Sequence, residues 1–426
     1  MNLPLPESWA AIFALLSGAL VVVLGLVLWS VRRHTDPVLR VSCDQPIDEL
    51  VPSLAGLSLA TPIAGNAVEL LENAAFFDAM LAAIGTARRT VHFETFLWKD
   101  GALSRRLTAA LAERARAGVA VRVLLDAIGS KQVRGPIAEQ LRAAGCRVEF
   151  FHKRSLRHLG MINDRTHRKM VIIDGREAFV GGHCIVDHWA QEIGPGGVTD
   201  ISLRLRGPIV HAVQAAFSEN WMGHTGELFA GDAVFPPLAP AGDLIIHAAF
   251  VKPEGSAPAV KVLHHTVICL AKKRIWIQNP YFIPEPATIV AFGEAVARGV
   301  DVRVLMPTTG SSDNAMVQHA GHRNFDRLLQ AGVRLFEYPN ALLHQKVMTV
   351  DGVWSAVGSS NFDDRSFETN DEITLGLLDR GLAGQLDSIF ERYAADAIEV
   401  KLDQWRRRGA WHKLKDYAAY SINELL

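Results

Sequence analysis

Residues 344–372 read HQKVMTVDGVWSAVGSSNFDDRSFETNDE. Residues 347–350 are apolar, Asp351-Gly352 is a tight-turn pair, and 353–358 is a second apolar run, so the stretch predicts a β-hairpin. Side chains two apart on a strand share a face, which sends His344 and Lys346 to the same side of the sheet. A histidine carries a proton or attacks an electrophile, and a lysine beside it supplies the fixed positive charge that suits a phosphate. One H-x-K is also what the polar face of a half-exposed strand looks like. A second copy changes its weight. Residues 167–182, HRKMVIIDGREAFVGG, repeat the spacing with His167, Lys169, Asp174 and Gly175, and Gly181 closes the second run. Downstream, Asp200-Ile-Ser-Leu lines up with Glu372-Ile-Thr-Leu, so each copy places a carboxylate at the start of a later strand.

The repeat extends beyond the hairpins. Arg274-Ile-Trp-Ile-Gln resembles Arg89-Thr-Val-His-Phe, the Gly299 strand resembles the Gly118 strand, and Ala331-Gly-Val-Arg resembles Ala144-Gly-Cys-Arg. The offsets of 185, 181 and 187 residues, with 177 between His167 and His344, are too long for a solenoid and describe two similar domains. In each, residues with helical spacing alternate with buried-strand runs, which argues a sheet covered by helices. Apolar spacing suggests a helix over 68–87, a strand over 90–97, a helix over 102–117 and a strand over 119–125. The boundary falls in the Pro- and Gly-rich stretch 229–243.

The amino-terminal stretch has a different character. Residues 8–31 contain no charge and are rich in Leu, Val and Ala, and about 20 apolar residues suffice to cross a bilayer as a helix. A cleaved signal peptide would carry positive charge before the apolar run, whereas Glu7 precedes it and Arg32-Arg33 follow. Positive charge stays on the cytoplasmic side, which places the catalytic body there, behind a single-pass anchor. Residues 32–64 read as a linker, 65–235 as a first domain, 242–402 as a second, and 403–426 as a basic amphipathic tail with Arg406, Arg407, Arg408, Lys413 and Lys415 interleaved with Trp405, Trp411, Leu414, Tyr417 and Leu425. That tail is expected either on an anionic lipid surface or docked on the second domain.

Composition narrows the function. A formal charge of -1 offers no global basic field, which disfavours nucleic acid as a partner. Cys43, Cys146, Cys184 and Cys269 are scattered without a C-x-x-C, so neither a zinc site nor a disulfide framework is expected of them. His319 and His322 lie three apart on an expected helix, where they could face a lipid headgroup or bind metal, but two such histidines without a third ligand are more often surface residues.

The duplicated H-x-K-x4-D-G-x5-G pattern, the QNPYFIP stretch at 278–284 and the GSSNFDDRSF run at 358–367 resemble the phospholipase D superfamily, in its bacterial cardiolipin synthase branch. The resemblance covers nearly everything after about residue 60. It implies an α/β fold of two tandem phospholipase D-like domains, mixed sheets flanked by helices about a pseudo-twofold, following the transmembrane helix. It implies that both motifs meet at one phosphate without a cofactor or metal. His167 is then the nucleophile and His344 the acid and base, with the reverse assignment open. Lys169 and Lys346 neutralise phosphate charge, Asp200 and Glu372 orient the imidazoles, and Ser359 and Asn361 contact substrate. Asp174 and Asp351 complete the catalytic motif, but in D-G turns they are expected to serve structure by bonding local backbone. Cys184 stands where the pattern has asparagine. The implied activity is a membrane-anchored phosphatidyltransferase making cardiolipin from two phosphatidylglycerols in a bacterial inner membrane. Hydrolysis to phosphatidic acid, a nuclease, and an inactive lipid-binding protein are the alternatives, and oligomeric state is left open.

Overall fold

The computed structural model describes residues 7–31, 41–151, 165–191, 193–252 and 258–421. Met1–Arg40 and Val41–Leu426 are separate compact units. In the first, Glu7–Val31 is helical. Side chains are described over only part of that helix, where Phe13, Leu15, Leu16, Leu20 and Val21 are exposed. Among the described residues no helix is long and apolar enough to cross a membrane. Arg32, Arg33 and Leu425, used above for orientation and for the tail, lie outside the described residues.

The second unit is built on one sheet of 15 strands among the described residues. At its centre Ile63–Glu72 and Leu244–Val251 run antiparallel, and from each the two halves of the chain proceed outwards in matching order. Beside Ile63–Glu72 come Ile201–Arg206, Glu177–Gly181, Met170–Ile173, Thr90–Thr95, Ala120–Asp126 and Arg147–Phe151. Beside Leu244–Val251 come Glu372–Leu378, Trp354–Gly358, Val347–Val350, Arg274–Gln278, Asp301–Pro307 and Arg334–Tyr338, with Ile398–Val400 added at the edge. The three strands 90–95, 120–126 and 147–151 are mutually parallel, as are their counterparts, and each half is otherwise antiparallel. This is the mixed sheet flanked by helices that the alternating pattern required, and its elements repeat.

Both expected hairpins form, Met170–Ile173 with Glu177–Gly181 and Val347–Val350 with Trp354–Gly358. All residues of strands 170–173 and 347–350 are buried, because helices cover both faces. Val210–Thr225 and Arg380–Ala395 cover the centre of one face, where Val213, Phe217 and Trp221 share a core with Ile246, Leu375, Leu386 and Phe390. Each half has a further core on the opposite face, under Ala75–Thr86 and Ala102–Arg116 in one and under Ala259–Leu270 and Pro286–Ala297 in the other.

Two readings need correction. Residues 68–72 belong to the central strand and not to a helix, which begins only at Ala75. Leu70 and Leu71 have the mixed burial of a strand covered unevenly, and pairing with Ile201–Arg206 overrides their local spacing. The connector is partly ordered: Val51–Leu57 is helical and buries Val51 and Leu54 in the second half's core.

Asp174 and Asp351 bond backbone, but not the local turn. Asp174 accepts from the amides of Arg88, Arg89 and Thr90 at 2.7–3.2 Å, and Asp351 from those of Lys272, Lys273 and Arg274 at 2.7–3.2 Å. Both residues have positive φ, 53° and 55°, so each turn is bent to aim its carboxylate at the amides that open the adjacent strand. Asp351→Ala leaves those donors without an acceptor and is expected to lower unfolding free energy by about 1–3 kcal/mol, read as a reduced denaturant midpoint in detergent.

Candidate functional site: two crossed histidine–carboxylate pairs

The site lies at the ends of the central strands, where segments from the two halves are tied to each other. Val198–Thr199 pairs in parallel with Leu342–Leu343, and the His344 amide donates to the Thr199 carbonyl at 2.8 Å. The other half repeats this: Thr166 bridges Asp371, and the His167 amide donates to the Asp371 carbonyl at 2.9 Å. Each histidine therefore begins its strand beside the carboxylate of the opposite half.

The side chains follow the backbone. His167 Nδ1 lies 2.8 Å from Glu372 Oε1, and His344 Nδ1 lies 2.6 Å from Asp200 Oδ2. Both carboxylates are fully buried, and an ionised carboxylate only accepts, so each Nδ1 carries the proton and each Nε2 offers its lone pair. Burial works against charge on Glu372, but His167 and Lys169 outweigh it and hold the carboxyl below its usual range. Desolvation drives the His167 imidazolium down to about 4, against the pull of Glu372. Burial and the Lys346 charge push His344 well below the ordinary histidine value. At neutral pH both rings rest uncharged.

Lys169 and Lys346 return to their own histidines, each Nζ donating to the carbonyl of His167 or His344 at 2.7 Å. Burial lowers both ammonium groups, Lys346 to about 8. Lys169 acts electrostatically on His344, and Lys346 on His167, so the two motifs converge. The copies are not equivalent. Lys346 Nζ also lies against the His344 ring, 3.0 Å from Nδ1 and 2.9 Å from Nε2, whereas among the described residues the His167 ring is hydrogen-bonded only through Nδ1.

The carboxylates have different supports. Ser359 Oγ donates to Glu372 Oε2, so Ser359, expected on substrate, is spent on the carboxylate and fully buried. Its counterpart is Gly182, where a Cβ would lie 2.3 Å from Asp200 Oδ1. Asp200 instead accepts from the Trp189 indole at 3.1 Å and from the Ile201 amide at 2.8 Å. Asn361 is buried, and its Oδ1 has no hydrogen-bond partner among the described residues. Cys184 is buried, its thiol pushed up to about 11 by desolvation despite the lysines nearby. Asp174 and Asp351 are held at the turns, at the far ends of their strands.

Sequence reasoning passed over several neighbours. Phe96 and Trp189 set ring edges against His167 and His344, with centroids at 5.1 and 5.2 Å. Asp313, bonded by the Tyr281 hydroxyl at 2.7 Å, acts electrostatically on His344 and Lys346. The QNPYFIP stretch contained Tyr281, but nothing local tied it to Asp313. Beside Trp189 a cavity of about 720 Å³ is shared by both halves, lined among others by Lys99, His188, Ser311, Asp313 and Asn340.

The family described as "Cardiolipin synthase, PLD-like domain" matches residues 80–189 and 265–394. The chain belongs to this family. Cardiolipin synthase A of Pseudomonas aeruginosa PAO1 is 35% identical over 350 residues, 82% of this chain and 71% of that protein. Cardiolipin synthase A of Pseudomonas fluorescens SBW25 is 35% identical over 367 residues, 85% of this chain and 76% of that one. The crystal structure of phosphatidylserine synthase from Haemophilus influenzae Rd KW20 shares the fold, with a TM-score of 0.68 at 13% identity over 87% of this chain and 98% of that one. The chain is thus an enzyme of the phospholipase D superfamily.

Glu372→Gln and Asp200→Asn each keep the shape of the pair and remove its charge. Each should reduce turnover by about 10²–10⁴-fold, as when the acid of a catalytic triad is amidated, with unchanged thermal unfolding as the control. The pH profile of kcat/KM has two expected limbs. His167 loses its lone pair to a proton below about pH 4, and Lys346 loses its charge above about pH 8, so activity should fall on both sides.

Proposed function

We propose that the chain is a membrane-anchored phosphatidyltransferase that makes cardiolipin from two phosphatidylglycerols and releases glycerol. The observation that carries this reading is the pair of crossed, buried, neutral histidines with a lysine beside each, in a chain 35% identical to proteins named cardiolipin synthase A.

His167 Nε2 attacks the phosphorus of the first phosphatidylglycerol while the phosphorus–oxygen bond to glycerol breaks, and His344 gives the leaving oxygen its proton. His344 then takes the proton of the acceptor hydroxyl, whose oxygen displaces His167 from phosphorus. The lysine ammonium set against the His344 ring, with no such group against His167 Nε2 among the described residues, favours this assignment over the reverse. Charge supports the second role. Two lysines and two carboxylates sum to zero at rest, so an arriving phosphodiester anion makes the site negative and favours protonation of an imidazole. Lys169, Lys346 and Asn361 would hold the phosphate oxygens. The cavity beside Trp189, lined by groups that bond hydroxyls, is a suitable seat for the polar acceptor.

We read residues 65–235 and 242–402 as the two phospholipase D-like domains. The uncharged stretch 8–31 is read as a single inner-membrane span with the catalytic body cytoplasmic. An anchor of that kind raises the effective concentration of lipid at the site without any new contact.

A product assay on phosphatidylglycerol vesicles tests the reading. Cardiolipin and glycerol should appear in equal amounts and be lost in His167→Ala and His344→Ala. Phosphatidic acid as the main product would make the enzyme a hydrolase, and no product in the wild type would contradict the reading altogether.

A further inference from the structure

The carboxyl-terminal helix Ala410–Tyr420 is docked along Ala315–Gln330, with Trp411, Leu414 and Tyr417 turned outwards and Asp416 and Ala419 turned in. Docking changes the reading of His319 and His322. His322 is not a surface residue: it is buried, its ring set edge-on to Trp405 and Phe325. A third group also reaches the pair. Asp416, 2% exposed, brings Oδ1 to 2.8 Å from His319 Nδ1 and 3.8 Å from His322 Nδ1.

The chemistry of His322 is the informative part. Its Nε2 lies 2.9 Å from Glu337 Oε1, so in the neutral ring Nε2–H donates to Glu337 and the lone pair falls on Nδ1. That Nδ1 is buried, has no hydrogen-bond partner among the described residues, and faces a carboxylate oxygen. Two acceptors face each other there, an arrangement that a cation between them resolves. A carboxylate on the far nitrogen of an imidazole is also the recurrent outer support of a metal-bound histidine.

We propose that His319 Nδ1, His322 Nδ1 and Asp416 Oδ1 form a site for a zinc-class divalent ion that pins the carboxyl-terminal helix to the second half of the enzyme. The three ligand atoms lie within 4.8 Å of one another. Tetrahedral zinc with bonds near 2.0–2.1 Å needs ligand separations of about 3.4 Å, and the two measured distances to Asp416 Oδ1 bracket that value. Two nitrogens and one carboxylate oxygen suit zinc better than magnesium or calcium, which favour all-oxygen shells. Charge at the centre is permissive. Asp416 and Glu337 are opposed by Arg408, which bonds the other carboxylate oxygen at 2.9 Å and leaves Oδ1 available. Arg406 is occupied by Asp326 and Lys413 by a backbone carbonyl, while Arg323 lies against Tyr417. A cavity of about 350 Å³ reaches His322 and Asp416 from outside, giving the ion an entry path and room for water. The site is remote from the crossed pairs in role: its ion would hold a helix and take no part in phosphoryl transfer.

The test is zinc titration of the full-length, detergent-purified protein against a chromophoric chelator, with hydrogen exchange of Ala410–Tyr420 followed in parallel. Wild type should bind one equivalent that His319→Ala weakens at least ten-fold, and zinc should slow exchange in the helix of wild type alone. Glu337→Gln, which touches only the support, should weaken binding about 10–100-fold. Asp416→Asn also breaks the Arg408 pair and could undock the helix by itself, so His319→Ala, at a partly exposed position, decides the matter. Exchange in Glu372–Leu378 should be the same in all variants as the control for folding. Zinc bound equally by wild type, His319→Ala and Glu337→Gln would overturn the proposal, as would helix protection that does not respond to zinc.

Discussion

Each motif imidazole is held by a buried carboxylate from the other half of the chain, and most of the structure can be understood as the means of keeping those two bonds. The carboxylates stand at the starts of Glu372–Leu378 and Ile201–Arg206, next to the two central strands. The histidines enter on the far strand of each hairpin, two strands further out, so the pairs form only if the halves meet in one register. A shared core around Phe217, Trp221, Leu375 and Phe390 and the paired segments 198–199 and 342–343 enforce that register. Neither half contains a complete pair.

Burial gives the pairs their character and their cost. Desolvation makes both imidazoles neutral, which a nucleophile needs, and takes two lysines and two carboxylates out of water, which is unfavourable unless each charge is matched. The matching is close: the carboxylates meet imidazoles, Ser359 or the Trp189 indole, and each lysine meets its histidine's carbonyl. It is also unequal between copies, with Gly182 against Ser359, Cys184 against Asn361, and a lysine ammonium against the ring of His344 and, among the described residues, not against that of His167.

The hairpins, the repeat and the outer strands were legible because their signals are local: apolar runs, D-G turns and glycine positions recur at fixed spacing. His167, Lys169, His344 and Lys346 could be named for the same reason. The crossing was not legible, because Glu372 lies 205 residues from His167 and Asp200 lies 144 from His344, and no local pattern records which pairs with which. Residues 68–72 were misread because uneven burial blurs a strand's alternation. Asp174 and Asp351 were recognised as structural, but the amides they bind lie on a strand that only the folded sheet brings near. His322 was taken for a surface residue because its third neighbour, Asp416, sits on a helix that reaches it only by docking.

The crossed wiring is tested most directly by following the titration and tautomers of the individual histidines by nitrogen-15 NMR in selectively labelled protein. Replacing Glu372 with Gln should shift the His167 signals and leave those of His344 nearly unmoved, and Asp200→Asn should do the opposite. If His167 responds to Asp200→Asn and not to Glu372→Gln, each half orients its own histidine, and the crossed pairs are wrong.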